Sequence, residues 1–143
     1  MPTLKINKEE FEELLGQEIS EEHLYEEASY LGAHWNHEQG EKWEVETYPN
    51  RPDLLSVEGL ARAYRGFFDI ETGVRNYKTS KGDIKLDVDK SVEKVRPYIG
   101  GAVVRDVELT PRIINGLIQL QEKLHHTLGR RRDKIAIGLH DLE

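Results

Sequence analysis

The chain has 143 residues, of which 37% are hydrophobic and 33% charged, which suits one moderate domain or one small domain with part of another. It contains no cysteine, and this excludes disulfides, thiolate metal sites and a cysteine nucleophile. It also has neither a run of 18 apolar residues nor a basic-then-apolar leader, which predicts a cytoplasmic protein without a membrane span.

The net charge of −7 is distributed unevenly along the chain. Residues 1–47 carry three lysines against thirteen glutamates, whereas residues 48–143 carry seventeen basic and fourteen acidic side chains. The negative field of the first third would repel a phosphate backbone. Any contact with nucleic acid is therefore expected from the later part of the chain.

The first third predicts one strand and two helices. Apolar and polar residues alternate in a short strand over residues 3–6. Asn7 is a good N-cap for a first helix that Gly16 ends, and Ser20 caps a second helix that ends at Gly32. Glutamates lie in the first turns of both helices, where the helix dipole favours negative charge. The acidic run therefore needs no ligand to explain it, and it predicts helix faces exposed to solvent.

A polar loop is predicted over residues 33–42, followed by a strand over residues 43–47. His34 and His37 lie three residues apart in this loop. Zinc sites need three or four protein ligands, and no third ligand is nearby, so no metal site is predicted.

A stiff turn follows this strand. It combines two prolines, three polar side chains and a helix cap: Pro49, Asn50, Arg51, Pro52, Asp53 and Ser56. Each proline fixes its own φ and pushes the residue before it out of the α region, so the turn is rigid before any ligand arrives. Ser56 caps a helix predicted over residues 56–68. Two interpretations stay open: a structural corner, or a recognition loop that holds Arg51 and Asp53 in fixed directions.

The second half predicts a strand–helix–strand unit after a polar boundary at residues 69–83. Alternating apolar residues predict strands over residues 84–88 and 98–109. A helix with a threonine cap and proline at its first position is predicted over residues 110–128, and residues 135–137 begin a further strand.

These elements predict an α+β chain of two parts. Residues 1–82 form a small N-terminal α/β domain, and residues 83–143 form the strand–helix–strand opening of a second domain. Such a unit needs further strands and covering helices to bury its sheet. We therefore expect the second domain to be incomplete within these 143 residues.

Two long motifs resemble one protein family. The first is YPNRPDLLSVEGLAR at residues 48–62, and the second combines LQEKLH at 120–125, GRRR at 129–132 and AIGLHDL at 136–142. In this order, with Pro97-Tyr98-Ile99 between them, they are similar to segments of the phenylalanyl-tRNA synthetase β subunit of the archaeal and eukaryotic type. The bacterial type carries an oligonucleotide-binding-like domain near its N-terminus, for which this chain has no room.

The resemblance implies the N-terminal part of the β subunit of an enzyme that uses ATP and magnesium to attach phenylalanine to its tRNA. Residues 83–143 would then open the tRNA-editing domain. The implied partners are the α subunit, the remainder of the β subunit and phenylalanine tRNA. In the family, the ATP and phenylalanine sites lie on the α subunit, and most editing residues lie beyond the matched part. We therefore expect the isolated chain to bind no cofactor and to lack catalytic activity, with a structural and assembly role.

The residues themselves contain no catalytic motif. Neither a phosphate-binding glycine loop, nor a nucleophile elbow, nor a zinc-protease helix occurs in the sequence. His140-Asp141 has the composition of a general base with its orienting carboxylate, but no nucleophile accompanies it. No catalytic residue is therefore predicted.

The most basic local cluster consists of Arg130, Arg131, Arg132 and Lys134. One interpretation is a set of cations near a helix C-terminus, which the helix dipole favours. The other is a contact with tRNA phosphates or with an acidic surface elsewhere in the synthetase. A rival to the synthetase assignment also stays open, namely a freestanding RNA- or protein-binding module derived from this family.

Overall fold

The computed structural model describes residues 1–36 and 42–142. Its strands and helices are β1 (Thr3–Asn7), α1 (Lys8–Leu15), α2 (Glu21–Ala28), β2 (Ala33–Asn36), β3 (Lys42–Thr47), α3 (Val57–Phe67) and α4 (Pro111–His126). Short 3₁₀ helices cover Ser29–Leu31, Pro52–Leu54 and Lys90–Val92. This mixture of helices with one antiparallel sheet confirms the α+β class. No helix in the described part of the chain is long and apolar enough to cross a bilayer.

The three strands form one antiparallel sheet in the order β1-β3-β2. Val45 on the central strand pairs with Leu4 on one side and with Trp35 on the other. The same face carries Trp43, and all four side chains are buried. The alternation of apolar and polar residues therefore gives the sheet one core face, because successive strand side chains point to opposite faces.

Helices α1 and α3 pack together and contribute the other half of the core. The ring of Phe11 on α1 lies 5.3 Å from that of Trp35 and 5.7 Å from that of Tyr64 on α3, in edge-to-face arrangements. Such pairs contribute about 0.5–1.5 kcal/mol beyond their buried area. An aromatic cluster thus joins the sheet to both helices.

The predicted helix caps are confirmed. Asn7 Oδ1 accepts the Glu10 N–H at 3.0 Å, and Ser20 Oγ accepts the His23 N–H at 3.2 Å. Gly16 ends α1 with φ of +89°, a conformation that glycine adopts without a Cβ penalty.

The predicted loop over residues 33–42 is wrong at its start, because Ala33–Asn36 form strand β2. Ala33 and Trp35 are buried while His34 between them is exposed, which is a strand alternation over only four residues. The polar content of this segment hides that pattern. His37 lies outside the described residues, and His34 lies on the exposed side of β2.

The strands predicted over residues 84–88, 98–109 and 135–137 are also wrong. Strand pairing in the described chain is confined to β1, β2 and β3. Ile84, Leu86 and Val88 have the expected alternation, yet each is at least half exposed. Alternation alone does not make a strand, since a strand needs a partner for its backbone groups.

The chain forms two compact units, one containing residues 1–73 together with the chain from Thr110 onward, and the other containing Val74–Leu109. The second unit holds the 3₁₀ helix at Lys90–Val92 and an ion pair of 3.1 Å between Arg105 and Asp83. The predicted domain boundary after residue 82 stays a prediction.

Candidate interaction sites: the proline turn and the basic loop

The proline turn, residues 48–56, is built from backbone bonds within itself. The Arg51 N–H donates to the Tyr48 carbonyl at 3.0 Å, and the Leu54 N–H donates to the Arg51 carbonyl at 3.0 Å. Leu54 and Leu55 are fully buried at its end. The prolines stiffen the turn, and Leu54 anchors it to the core.

Arg51 and Asp53 bind each other across this turn. Arg51 Nε donates to Asp53 Oδ1 at 3.0 Å, and Arg51 Nη2 donates to Asp53 Oδ2 at 2.7 Å. The hydrogen bonds from Arg51 hold the pKa of the Asp53 carboxyl below its usual value, against a smaller opposing effect of burial. About 40% of each side chain stays exposed, so the pair lies at the surface.

A third hydrogen bond extends this pair to another segment. Arg51 Nη1 donates to the carbonyl oxygen of Leu31 at 3.3 Å, just before strand β2. The guanidinium thereby connects the proline turn with the segment between α2 and the sheet. The structure thus places Arg51 and Asp53 in contacts within the chain.

The start of α3 lies unusually close to the proline turn. Ser56 Oγ accepts the Gly59 N–H at 3.1 Å, which confirms Ser56 as the N-cap. A Cβ atom on Gly59 would lie 2.1 Å from the backbone oxygen of Asp53. Only glycine fits at this position, so Gly59 belongs with the turn residues although it lies inside the helix.

One polar contact lies inside the core behind the turn. Trp35 Nε1 donates to the Tyr64 hydroxyl oxygen at 2.8 Å, with both side chains buried. Burial raises the pKa of the Tyr64 hydroxyl well above its usual value. This bond connects strand β2 with helix α3.

The basic loop, residues 127–137, turns back against the end of α4. The Gly129 N–H donates to the Leu124 carbonyl at 2.8 Å, and the Lys134 N–H donates to the Gly129 carbonyl at 2.9 Å. A Cβ on Gly129 would lie 2.7 Å from the Ile135 oxygen, so the return path requires glycine. Close backbone packing thus explains why glycine follows the end of α4 at this position.

Three consecutive arginines in this loop have left-handed backbone conformations. Arg130, Arg131 and Arg132 have φ of +46°, +57° and +67°. This region costs a residue with a Cβ roughly 1–2 kcal/mol, so the surrounding contacts must hold it. One of them is the hydrogen bond of 3.3 Å from the Arg132 N–H to the His125 carbonyl.

Two side chains of α4 hold the far end of the basic loop. The buried His125 accepts the Ile137 N–H at its Nε2 atom at 2.7 Å. Gln121 Nε2 donates to the Ile137 carbonyl oxygen at 2.8 Å. These two bonds use the backbone groups that a strand would need, which explains why residues 135–137 form none. No sequence signal marks His125 or Gln121 for this role.

The charged side chains of the basic loop differ in their pairing. Arg132 forms an ion pair with Glu122 on α4. Arg130, Arg131 and Lys134 are exposed, and their side chains make no hydrogen bond or ion pair within the described residues. Three cations therefore project from one turn, while the fourth is neutralised by its neighbour.

An open cleft of about 500 Å³ lies between the start of β1 and helix α4. It is lined in part by Thr3, Ile118, Lys123 and His126. Burial lowers the pKa of the Lys123 amine. Among the described residues, no group of three histidine, aspartate or glutamate side chains is arranged to hold a metal ion.

The comparisons with known proteins agree with the two sequence motifs. The chain is 41% identical over 143 residues to the phenylalanine–tRNA ligase β subunit of Methanocorpusculum labreanum, covering all of this chain. It is 43% identical over 142 residues to that of Archaeoglobus fulgidus and 41% identical over 143 residues to that of Methanosarcina acetivorans. In each case the chain spans 26% of the relative's length. No protein-family profile matches the chain.

A solved structure has the same fold. An N-terminal fragment of the phenylalanyl-tRNA synthetase β subunit from Pyrococcus horikoshii matches 96% of this chain with a TM-score of 0.79 and 31% sequence identity. The match covers 41% of that fragment. The resemblance predicted from the motifs is thereby confirmed over nearly the whole chain.

Proposed function

We propose that this chain, which belongs to the phenylalanine–tRNA ligase β-subunit family, acts as a structural and assembly part of that enzyme. The observation that carries the proposal is the identity of about 40% along the entire chain to archaeal β subunits. The proline turn fits such a role, because its most specific side chains bind one another and the Leu31 carbonyl.

Exposed apolar side chains support a role inside a larger assembly. Helix α4 carries four of them on one side, and between 36% and 52% of each is exposed: Ile113, Ile114, Leu117 and Ile118. Side chains three or four positions apart share a helix face, so these form one stripe. We propose that the remainder of the β subunit covers this stripe, with residues 83–143 as the opening of the editing domain.

The whole enzyme would supply the chemistry. It would use ATP and magnesium to join phenylalanine to its tRNA in the cytoplasm, in partnership with the α subunit. We assign no cofactor and no catalytic residue to these 143 residues. Their contribution is to order the β subunit and to support its assembly with the α subunit.

A chimera tests this proposal. These 143 residues would replace the matching segment of the Archaeoglobus fulgidus β subunit, which would then be expressed with its own α subunit. We expect a stable complex that charges phenylalanine tRNA. Its activity per amount of assembled complex should equal that of the parent enzyme. A chimera that folds but fails to bind the α subunit would contradict the assembly role.

We also propose that the basic loop contacts tRNA phosphates. Its support is the set of three exposed, unpaired cations at Arg130, Arg131 and Lys134. Each neutralised phosphate releases counterions, so the slope of the logarithm of affinity against the logarithm of salt concentration reports the number of phosphate contacts. Removing two cations should reduce this slope by the share of roughly two contacts. The test is tRNA affinity against salt for a chimera with both Arg130→Ala and Arg131→Ala. An unchanged slope would contradict this contact.

A freestanding binding module is the second candidate. The feature that favours it is the compact core formed by residues 1–73, which contains its own sheet and covering helices. Such a module would bind RNA or a protein without an α subunit. Failure of the chimera together with tRNA affinity of the isolated chain would favour it.

A further inference from the structure

An exposed aromatic surface lies where α2 and the turn after it meet the end of α3. We define the aromatic patch as Tyr30, Phe67, Phe68 and His23, with His23 in the first turn of α2 and Tyr30 in the 3₁₀ helix that follows α2. The rings of Tyr30 and Phe67 are nearly parallel, with an interplanar angle of 18° and centroids 6.2 Å apart. Tyr30 is 77% exposed and Phe67 is 39% exposed.

Phe68 connects this patch to the core. His23 stacks on Phe68 with centroids 5.1 Å apart, and Phe68 packs against Tyr64 of the core at 5.5 Å. Phe67 and Phe68 meet edge to face at 5.6 Å. Phe67 and Phe68 are therefore ordered before any partner arrives, and these two rings would lose little side-chain entropy on binding.

Carboxylates lie next to the patch. Helix α2 contains four glutamates and neither lysine nor arginine. Glu26 and Glu27 lie one helical turn beyond His23, so they share its side of α2. The nearby Arg65 of α3 is already paired with Glu71 at 2.6 Å. Carboxylates thus border the aromatic rings without a compensating free cation among these residues.

We propose that the aromatic patch docks a basic, partly apolar segment of a partner protein. Aromatic faces attract guanidinium and ammonium groups through the ring quadrupole, and neighbouring carboxylates add direct ion pairs. An apolar side chain of the same segment would cover Phe67. The acidic border excludes a nucleic acid backbone as occupant. This proposal does not rest on the synthetase role, since it uses only the surface itself.

Peptide display against the whole chain tests the proposal. The probe is a random 16-residue peptide library, followed by titration of the selected peptides in solution. We expect selected peptides to be enriched in arginine or lysine beside an aromatic or aliphatic residue. Tyr30→Ala should weaken their binding at least about tenfold. Tyr77→Ala is the matched control, because Tyr77 is 73% exposed and lies outside the patch.

A second variant separates charge from packing. Glu26→Gln with Glu27→Gln keeps the helix and should weaken the same peptides several-fold, with most of the loss disappearing at high salt. Selected peptides without basic residues, or binding unchanged in Tyr30→Ala, would overturn the proposal. Self-association of the chain that Tyr30→Ala abolishes would also overturn it, because the occupant would then be a second copy.

Discussion

Gly59 and Asp53 approach so closely that a Cβ on Gly59 would lie 2.1 Å from the Asp53 carbonyl oxygen. This contact joins the proline turn to the first turn of α3. It gives a physical reason for glycine within a helix, where glycine otherwise costs about 1 kcal/mol relative to alanine. The turn and the helix therefore behave as one unit.

Gly59→Ala should destabilise the fold by about 1–3 kcal/mol, because backbone must move to admit the methyl group. Gly66→Ala, in the same helix, is the control. A Cβ there would meet nothing nearer than the Glu71 oxygen at 3.8 Å, so this change should stabilise by up to about 1 kcal/mol. Urea unfolding of both variants measures the difference. Equal effects would show that the close approach is absent.

The pairing of Arg51 with Asp53 predicts a pH-dependent contribution to stability. The folded-state pKa of Asp53 is depressed, so its contribution is present above the usual value of 3.8 and is lost as the pH falls through the depressed pKa. Asp53→Asn should therefore lower stability by about 0.5–1 kcal/mol near pH 7. The gap between the two proteins should close as the pH falls through the depressed pKa of Asp53. If the two proteins still differ in stability in acid, the loss in Asp53→Asn comes from packing and not from the charge of Asp53.

The bond between Trp35 and Tyr64 predicts a cost for removing one hydroxyl group. Tyr64→Phe leaves the buried Trp35 N–H without an acceptor, which should cost about 1–3 kcal/mol. Tyr30→Phe is the comparison, since Tyr30 is 77% exposed, and it should change stability by less than about 0.5 kcal/mol. Thermal unfolding by near-ultraviolet circular dichroism measures both. Equal melting temperatures would contradict the assigned bond.

The buried His125 predicts a local effect on the basic loop. His125→Phe removes the acceptor for the Ile137 N–H, which should free this end of the loop at a cost of about 1–3 kcal/mol. His126→Ala changes an exposed neighbour and should have little effect. Amide hydrogen exchange at Ile137 reports the result directly. Unchanged protection in His125→Phe would show that the imidazole does not hold the loop.

The sequence predicts most of the first unit because its signals are local. Caps at Asn7 and Ser20 act on backbone groups three residues away, and the alternation in β3 spans six residues. Strand β2 has only four residues, and its polar side chains hide the alternation. Its short length explains that error.

The later strands fail for a related reason. The alternation at Ile84, Leu86 and Val88 describes a surface suited to a sheet, but strand pairing depends on which segments lie beside it.

The candidate sites also depend on contacts between segments that are far apart in the sequence. Residue type places Arg51 and Asp53 in one turn, whereas the bonds to the Leu31 carbonyl and from Ile137 to His125 appear only once distant segments meet.

The proteins that bind this chain in the native cell show whether it works within a synthetase. An antibody against this chain would be used for immunoprecipitation from the native cell, with mass spectrometry of the precipitate and an assay for charging of phenylalanine tRNA. We expect a synthetase α subunit in near-equal amount, together with charging activity. A precipitate that contains this chain but neither the α subunit nor the activity would contradict the assembly role.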